Sequence, residues 1–159
     1  MRYDNTQTGP WFLLIHGAAA MFLIFAVQQV IPESWGIFMW LGLFVPTAFF
    51  GFCFVHLNVQ DLDNRMVVRF GPIRLFGTTI HYEQITGFAT DRSSFLDGWG
   101  IHLKSGSWIY NIWGYGCVQI QQGEKSTWIG TNDMPGLLAL LEERSGIAAG
   151  NPEEAEAAE

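Results

Sequence analysis

The chain reads as an α+β membrane protein: a transmembrane helical hairpin, then a small antiparallel β-barrel or sandwich of about seven strands plugged by a C-terminal helix. Three observations predict this. Trp11–Ile31 (WFLLIHGAAAMFLIFAVQQVI) and Gly36–Leu57 (GIFMWLGLFVPTAFFGFCFVHL) contain no Asp, Glu, Lys or Arg, and only Pro32-Glu33-Ser34-Trp35 separates them. From Val55 the texture changes to two-residue alternation broken by turn residues. Near the C-terminus Met134, Leu137, Leu138 and Leu141 recur at i, i+3, i+4, i+7, one helical face.

At 1.5 Å per residue each apolar run covers roughly 32 Å, enough for the ~30 Å hydrocarbon core of a bilayer. Neither run carries the polar stripe of a core helix in a small soluble protein. The first is too long for a signal-peptide core, and its small residues Gly17-Ala18-Ala19-Ala20 come near its start, so it reads as a retained signal-anchor. Trp11, Trp35 and Trp40 fall toward the span ends, where indole prefers the headgroup region. The short break permits only an antiparallel pair, with both chain ends on one side. Arg2 precedes the hairpin and Arg65, Arg69 and Arg74 follow it, while the break holds only Glu33. The positive-inside rule therefore places both termini in the cytoplasm, as in a multi-pass protein of the cell membrane. Gly17, Ala18 and Ala20 on the first span lie at the depth of Ala48 and Gly51 on the second, and small residues at one level let backbones approach. Pro46 removes a backbone donor and predicts a kink.

The hairpin, 11–57 with spans 11–31 and 36–57, divides the rest of the chain. Residues 1–10 are polar, end in Gly-Pro and read as a lead-in loop. Residues 58–146 form the domain, with strands expected at about 55–60, 65–70, 72–80, 84–90, 99–104, 107–113, 117–122 and 126–130. Asp61-Leu62-Asp63-Asn64, Ser105-Gly106 and Gln122-Gly123-Glu124-Lys125 read as tight turns. For the last helix, Asn132 or Asp133 supplies the N-cap, Pro135 lies in the first turn and Gly146 ends it. Residues 147–159 are an acidic tail whose Gly150–Glu159 (GNPEEAEAAE) is too polar to fold by itself.

The formal net charge of −7 comes mostly from that tail. Residues 58–145 are nearly balanced, with nine acids against seven bases. No basic patch recommends nucleic acid or a polyanionic headgroup. Cys53 in the second span and Cys117 in the domain do not make a disulfide framework, so a reducing compartment is permitted.

Val67-Val68-Arg69-Phe70-Gly71-Pro72-Ile73, Gly98-Trp99-Gly100-Ile101-His102, Trp108-Ile109-Tyr110-Asn111 and Ile129-Gly130-Thr131-Asn132-Asp133 carry a resemblance. Over roughly residues 58–145 the chain resembles bacterial pleckstrin-homology-like (PH-like) domains, which stand behind short transmembrane hairpins. The resemblance implies a bacterial inner-membrane protein, two orthogonal sheets with a C-terminal helix, and a binding platform with no catalytic residues or cofactor. Eukaryotic lipid-binding members have a Lys- and Arg-rich loop between the first two strands. Here that loop is Asp61-Leu62-Asp63-Asn64-Arg65, which repels a polyphosphate and argues against phosphoinositide binding.

Few residues suggest chemistry. His16, Cys53 and His56 share the cytoplasmic third of the hairpin and allow a metal or haem site. The plainer reading is a near-interface histidine bonded to a carbonyl or to the other helix. Asp61-x-Asp63 opens like a calcium loop but lacks its Gly and closing Glu. His81, Glu83 and His102 make an acid–base set only on paper, and the sequence contains no nucleophile elbow, phosphate loop or paired-cysteine motif. The expectation is a non-enzymatic protein. Its most unusual feature is the crowding of Trp99, Trp108, Tyr110, Trp113, Tyr115 and Trp128. A small barrel hides one face of each strand, so some of these rings are expected at the surface. The plainer reading packs these rings over the barrel mouth or beneath the helix; in the functional one, Trp99, Trp113 and Tyr115 are the candidates for a partner-binding groove, the partner being another membrane protein, or for a surface resting on lipid.

Overall fold

The structure, a computed structural model, describes residues 3–28, 34–73, 75–93, 100–104 and 106–150. Its elements run β1 (Asp4–Thr8), α1 (Trp11–Gln28), α2 (Ser34–Cys53), β2 (His56–Asp61), β3 (Arg65–Phe70), β4 (Phe76–His81), a 3-10 turn (Tyr82–Gln84), β5 (Gly87–Arg92), β6 (Gly100–Lys104), β7 (Ser107–Asn111), β8 (Gly116–Gln122), β9 (Lys125–Gly130) and α3 (Met134–Ser145).

The two apolar runs form α1 and α2, of 18 and 20 residues. At 1.5 Å per residue they measure about 27 and 30 Å, and both are long and apolar enough to cross a membrane. Large apolar side chains are exposed around them, among them Leu13, Leu14, Ile24, Val27, Phe38 and Val45. The second helix stops at Cys53, short of the expected Leu57. Phe54 leaves it and stacks between Phe70 and Phe76, at 5.2 and 5.3 Å between ring centroids, while Leu57 is wholly buried in the domain core. Apolar composition had assigned Phe54 and Leu57 to the span; packing assigns them to the protein. Trp40 likewise lies between the helices, 5.0 Å from Phe25 and 6.1 Å from Phe22, and not at a span end.

The larger correction is at the N-terminus. Residues 4–8, expected as a loop, are a strand that pairs antiparallel with β2, from Asp4↔Gln60 to Thr8↔His56. The helical hairpin is thus an insertion between two neighbouring strands. Asp4-Asn5-Thr6-Gln7-Thr8 has no apolar residue to announce a strand. Its one buried side chain, Gln7, reaches across to donate from Nε2 to the Gly130 carbonyl at 2.5 Å.

Nine strands form two sheets among the described residues, where about seven were expected. The first has the order β1-β2-β3-β4 and is antiparallel throughout; the second has the order β5-β8-β9-β7-β6. There the β6–β7 and β8–β9 hairpins lie side by side and β7 pairs parallel with β9, so the sheet is mixed and not purely antiparallel. The two sheets do not close into a barrel. They pack face to face over one core in which Leu57, Val59, Met66, Val68, Phe70 and Ile80 of the first meet Phe88, Tyr110, Val118, Ile120 and Ile129 of the second. The amphipathic α3 adds Leu137, Leu140 and Leu141, with Met134 and Leu138 at the margin. Asp133 is its N-cap, accepting from Gly136 N at 3.1 Å, and Gly146 at φ 71° is its left-handed C-cap. Order continues to Gly150, which bridges to Ala89. Disorder was expected over 147–159; residues 147–150 are described, and residues 151–159 lie outside the described residues.

Candidate interaction surface

The domain grips both roots of the hairpin. Gly9, between β1 and α1, lies so close to the β7–β8 loop that a Cβ there would sit 2.6 Å from the Ile112 carbonyl and 3.0 Å from Trp113 Cβ. At the other root, Gly71 turns the chain out of β3 with φ 58° and donates its N–H to the His56 carbonyl at 2.8 Å. A Cβ on Gly71 would strike the backbone of Cys53 and Phe52, the last turn of α2. Both glycines are therefore required by close approach, and the second also by its left-handed backbone. Two parts of the β domain, the turn at Gly71 and the loop 112–115, rest against the two places where the chain enters and leaves the helices.

The 112–115 loop is pre-formed. Asn111 is fully buried; its Nδ2 donates to the Gly114 carbonyl at 2.9 Å and to Ser93 Oγ at 3.3 Å, and its Oδ1 accepts from Trp113 N at 3.2 Å. This is an Asx-turn, completed by Gly114 at φ 83°. Gly130 on β9 makes room for it, since any Cβ there would overlap the Asn111 side chain. The loop holds Trp113 and Tyr115 about half exposed. Ile73 and Leu75 are exposed on the companion loop. A separate apolar pair, Leu103 and Trp108, is exposed on the edge hairpin, directly across from one another in the β6–β7 ladder.

Of the three aromatic residues expected to make a partner surface, Trp113 and Tyr115 thus share one loop, and Trp99 lies outside the described residues. Trp128 is not at the surface: it packs with Ile109 and Cys117 in a small second core and donates Nε1 to Asp91 Oδ2 at 2.5 Å. The sequence reading missed Asn111, although Asn-x-x-Gly between two strands was a usable turn signal. It also missed Ile73 and Leu75, whose exposure no pattern reveals.

Within the hairpin, Gly51 is buried, and a Cβ on it would come within 2.9 Å of Ile15 Cγ2 and His16 Cε1. Ala18 and Ala48 are half-buried. Gly17 and Ala20 point outward, with nothing within 4 Å of a Cβ on Gly17; the fully buried small residues of α1 are Ala19 and Ala26, seven apart on one face. Matching depths alone could not choose the face, because that depends on rotation about the helix axis. His16 Nδ1 lies 2.7 Å from the Phe12 carbonyl, donating to it, the plainer of the two expected arrangements. Cys53 is buried at the end of α2 and His56 begins β2. Among the described residues no group of three or more His, Cys, Asp or Glu is gathered to hold a metal ion. His81 ends β4 and Glu83 lies in the 3-10 turn after it, whereas His102 is on β6 in the other sheet.

At the opposite end of the domain the carboxylates are committed. Asp61 is completely buried and accepts from Arg144 Nη2 at 2.5 Å, Tyr82 Oη at 2.9 Å and Asp63 N at 3.1 Å. Burial pushes its pKa up, but the Arg144 and Tyr82 bonds outweigh it and hold the carboxyl below the usual range. Burial, then the Asp61 carboxylate, pushes the Tyr82 hydroxyl up. The turn that the resemblance made a headgroup loop is a structural clasp, fastening α3 to β2 and the 3-10 turn.

No family model, curated protein or solved structure matches the chain.

Proposed function

We propose that the chain is a membrane-anchored, non-catalytic interaction module, an accessory or assembly subunit that binds another membrane protein. In this reading the helical hairpin crosses the bilayer and holds the β domain, a PH-like platform, on the cytoplasmic face. One observation carries it: the apolar hairpin is inserted between paired strands, and both of its roots are gripped by the domain. A domain on a flexible linker sweeps a volume, whereas one clamped at two roots presents a fixed surface to neighbours in the membrane plane. Among the described residues, the Leu103–Trp108 pair offers an exposed apolar contact away from the roots, so we assign the partner contact there. Trp113 and Tyr115, beside the helix roots, are less available to a cytoplasmic partner.

Two packed sheets with a C-terminal helix over the core agree with the PH-like resemblance, while the β5-β8-β9-β7-β6 order with its parallel pair departs from a simple antiparallel meander. The use of Asp61 and Arg144 in an internal clasp favours a protein over a phosphoinositide as ligand. A photo-crosslinking residue placed at position 108, and separately at 103, tests the proposal in intact cells. Both should capture the same integral membrane protein, and a probe at the exposed Glu124 turn should not. Capture of nothing, or of different soluble proteins at the two positions, overturns it.

A further inference from the structure

We infer that the rim of the β domain formed by Ile73, Leu75 and Trp113 beds into the headgroup–acyl boundary of the bilayer, making lipid a ligand of the domain as well as of the helices. This rests on the reading that the hairpin crosses a membrane. If it does, the rim has little freedom to be elsewhere. Gly71 packs on the backbone of Cys53, the last residue of α2, and Trp113 packs beside Gly9, two residues ahead of α1. Both loops are therefore level with the points where the helices leave the domain.

Their chemistry matches that level. Ile73, Leu75 and Trp113 are 40%, 60% and 44% exposed, and Trp11 at the start of α1 is 37% exposed. Indole rings concentrate at membrane interfaces, where one side of the ring is wet and the other apolar. The opposite end of the same sheets is different in kind: Asp63 and Arg65 are exposed at the β2–β3 turn, beside the Asp61–Arg144 pair. The hairpin end thus presents exposed apolar side chains flanked by the basic Arg69 and Arg92, whereas the far end carries the exposed Asp63 and Arg65. The Trp113 side of the rim is pinned by Asn111, so its insertion costs little ordering. Lipid is favoured over a second protein as occupant because the rim lies directly at the helix roots, where the exposed apolar surface of α1 and α2 begins with Trp11 next to Pro10 and with Phe50 and Phe52 above Gly71.

The full chain, reconstituted in phosphatidylcholine–phosphatidylglycerol vesicles, provides the test. Single cysteines (Ile73→Cys, Leu75→Cys or Trp113→Cys) carry an environment-sensitive fluorophore, with Val45→Cys on the exposed middle of α2 and Leu103→Cys on the far hairpin for comparison. The native Cys53 and Cys117 are 1% and 0% exposed and compete little for label. Shallow doxyl-lipid quenchers should quench positions 73, 75 and 113 several-fold more than position 103, and deep quenchers should act on position 45. Should Trp113→Cys not fold, the two exposed positions on the other loop decide by themselves. Rim labels as wet as position 103, with position 45 quenched, overturn lipid contact and leave the anchor standing. A position 45 label that no lipid quencher reaches overturns both.

Discussion

The residue with the largest organising effect for its size is Asn111. Among the described residues its side chain bonds Ser93, Gly114 and Trp113, and these bonds shape the loop that carries Trp113 and Tyr115. Asn111→Ala removes these bonds from a fully buried side chain, a cost of about 1–3 kcal/mol. Thermal unfolding in detergent should show that loss, together with a change in the fluorescence of the loop aromatics. Asp61 is the second such residue. Its carboxyl is held below the ordinary carboxylate value, so the stability it contributes is fully present above about pH 4 and is lost as pH falls through the depressed folded value. Asp61→Asn should therefore narrow the difference in melting temperature between neutral and acid pH relative to the unmodified chain. The Tyr82 hydroxyl, pushed up, acts in the other direction: its contribution is complete below the ordinary tyrosine value of about 10 and is lost as pH rises through the raised one. Tyr82→Phe, which deletes a hydrogen bond to a charged acceptor, should cost about 1.5–3 kcal/mol at neutral pH.

Among the elements, the hairpin makes the sharpest distinction between two glycines at equal depth. Gly51→Leu must push Ile15 and His16 aside, and overpacking of this kind costs about 1–3 kcal/mol. Gly17→Leu meets nothing and should leave yield and melting temperature in detergent unchanged. Equal effects of the two would mean that the helix faces are rotated from those described. Pro46 lies inside α2, where it removes a backbone donor, yet the helix continues to Cys53 around it. The β1 strand is the other informative element. It is polar, short and at a sheet edge, and it exists because β2 supplies a ladder and Gln7 finds a carbonyl in the opposite sheet.

At the scale of the whole molecule, the insertion of the hairpin between β1 and β2 puts the N-terminal strand and the C-terminal domain in one body. If the helices cross a membrane, both termini must then lie on one side. Reporter fusions ahead of Asp4 and after Gly150 should both report the cytoplasm. Opposite sides would remove the hairpin from the membrane reading, and a shared outer side would reverse the orientation taken from Arg65, Arg69 and Arg74.

Wherever local composition decides structure, the sequence was sufficient. Charge-free runs of helical length made α1 and α2, alternation made most strands, and Asn132 or Asp133, Pro135 and Gly146 delimited α3 to within one residue at its start and to the residue at its end. Those features depend on backbone geometry and on neighbours a few positions away. What only the tertiary structure decided depends on contacts far apart in the chain. A strand without apolar residues, the transfer of Phe54 and Leu57 from lipid-type helix to protein core, the parallel β7–β9 pairing and the rotation that buries Ala19 in place of Gly17 are of this kind. So is the surface itself. Trp128 and Trp113 are the same residue type in similar strand-rich sequence, and one is sealed against Ile109 and Cys117 while the other stands half exposed beside Gly9. Burial of a side chain is a property of what the rest of the chain brings to it, and no pattern along the chain encodes that directly.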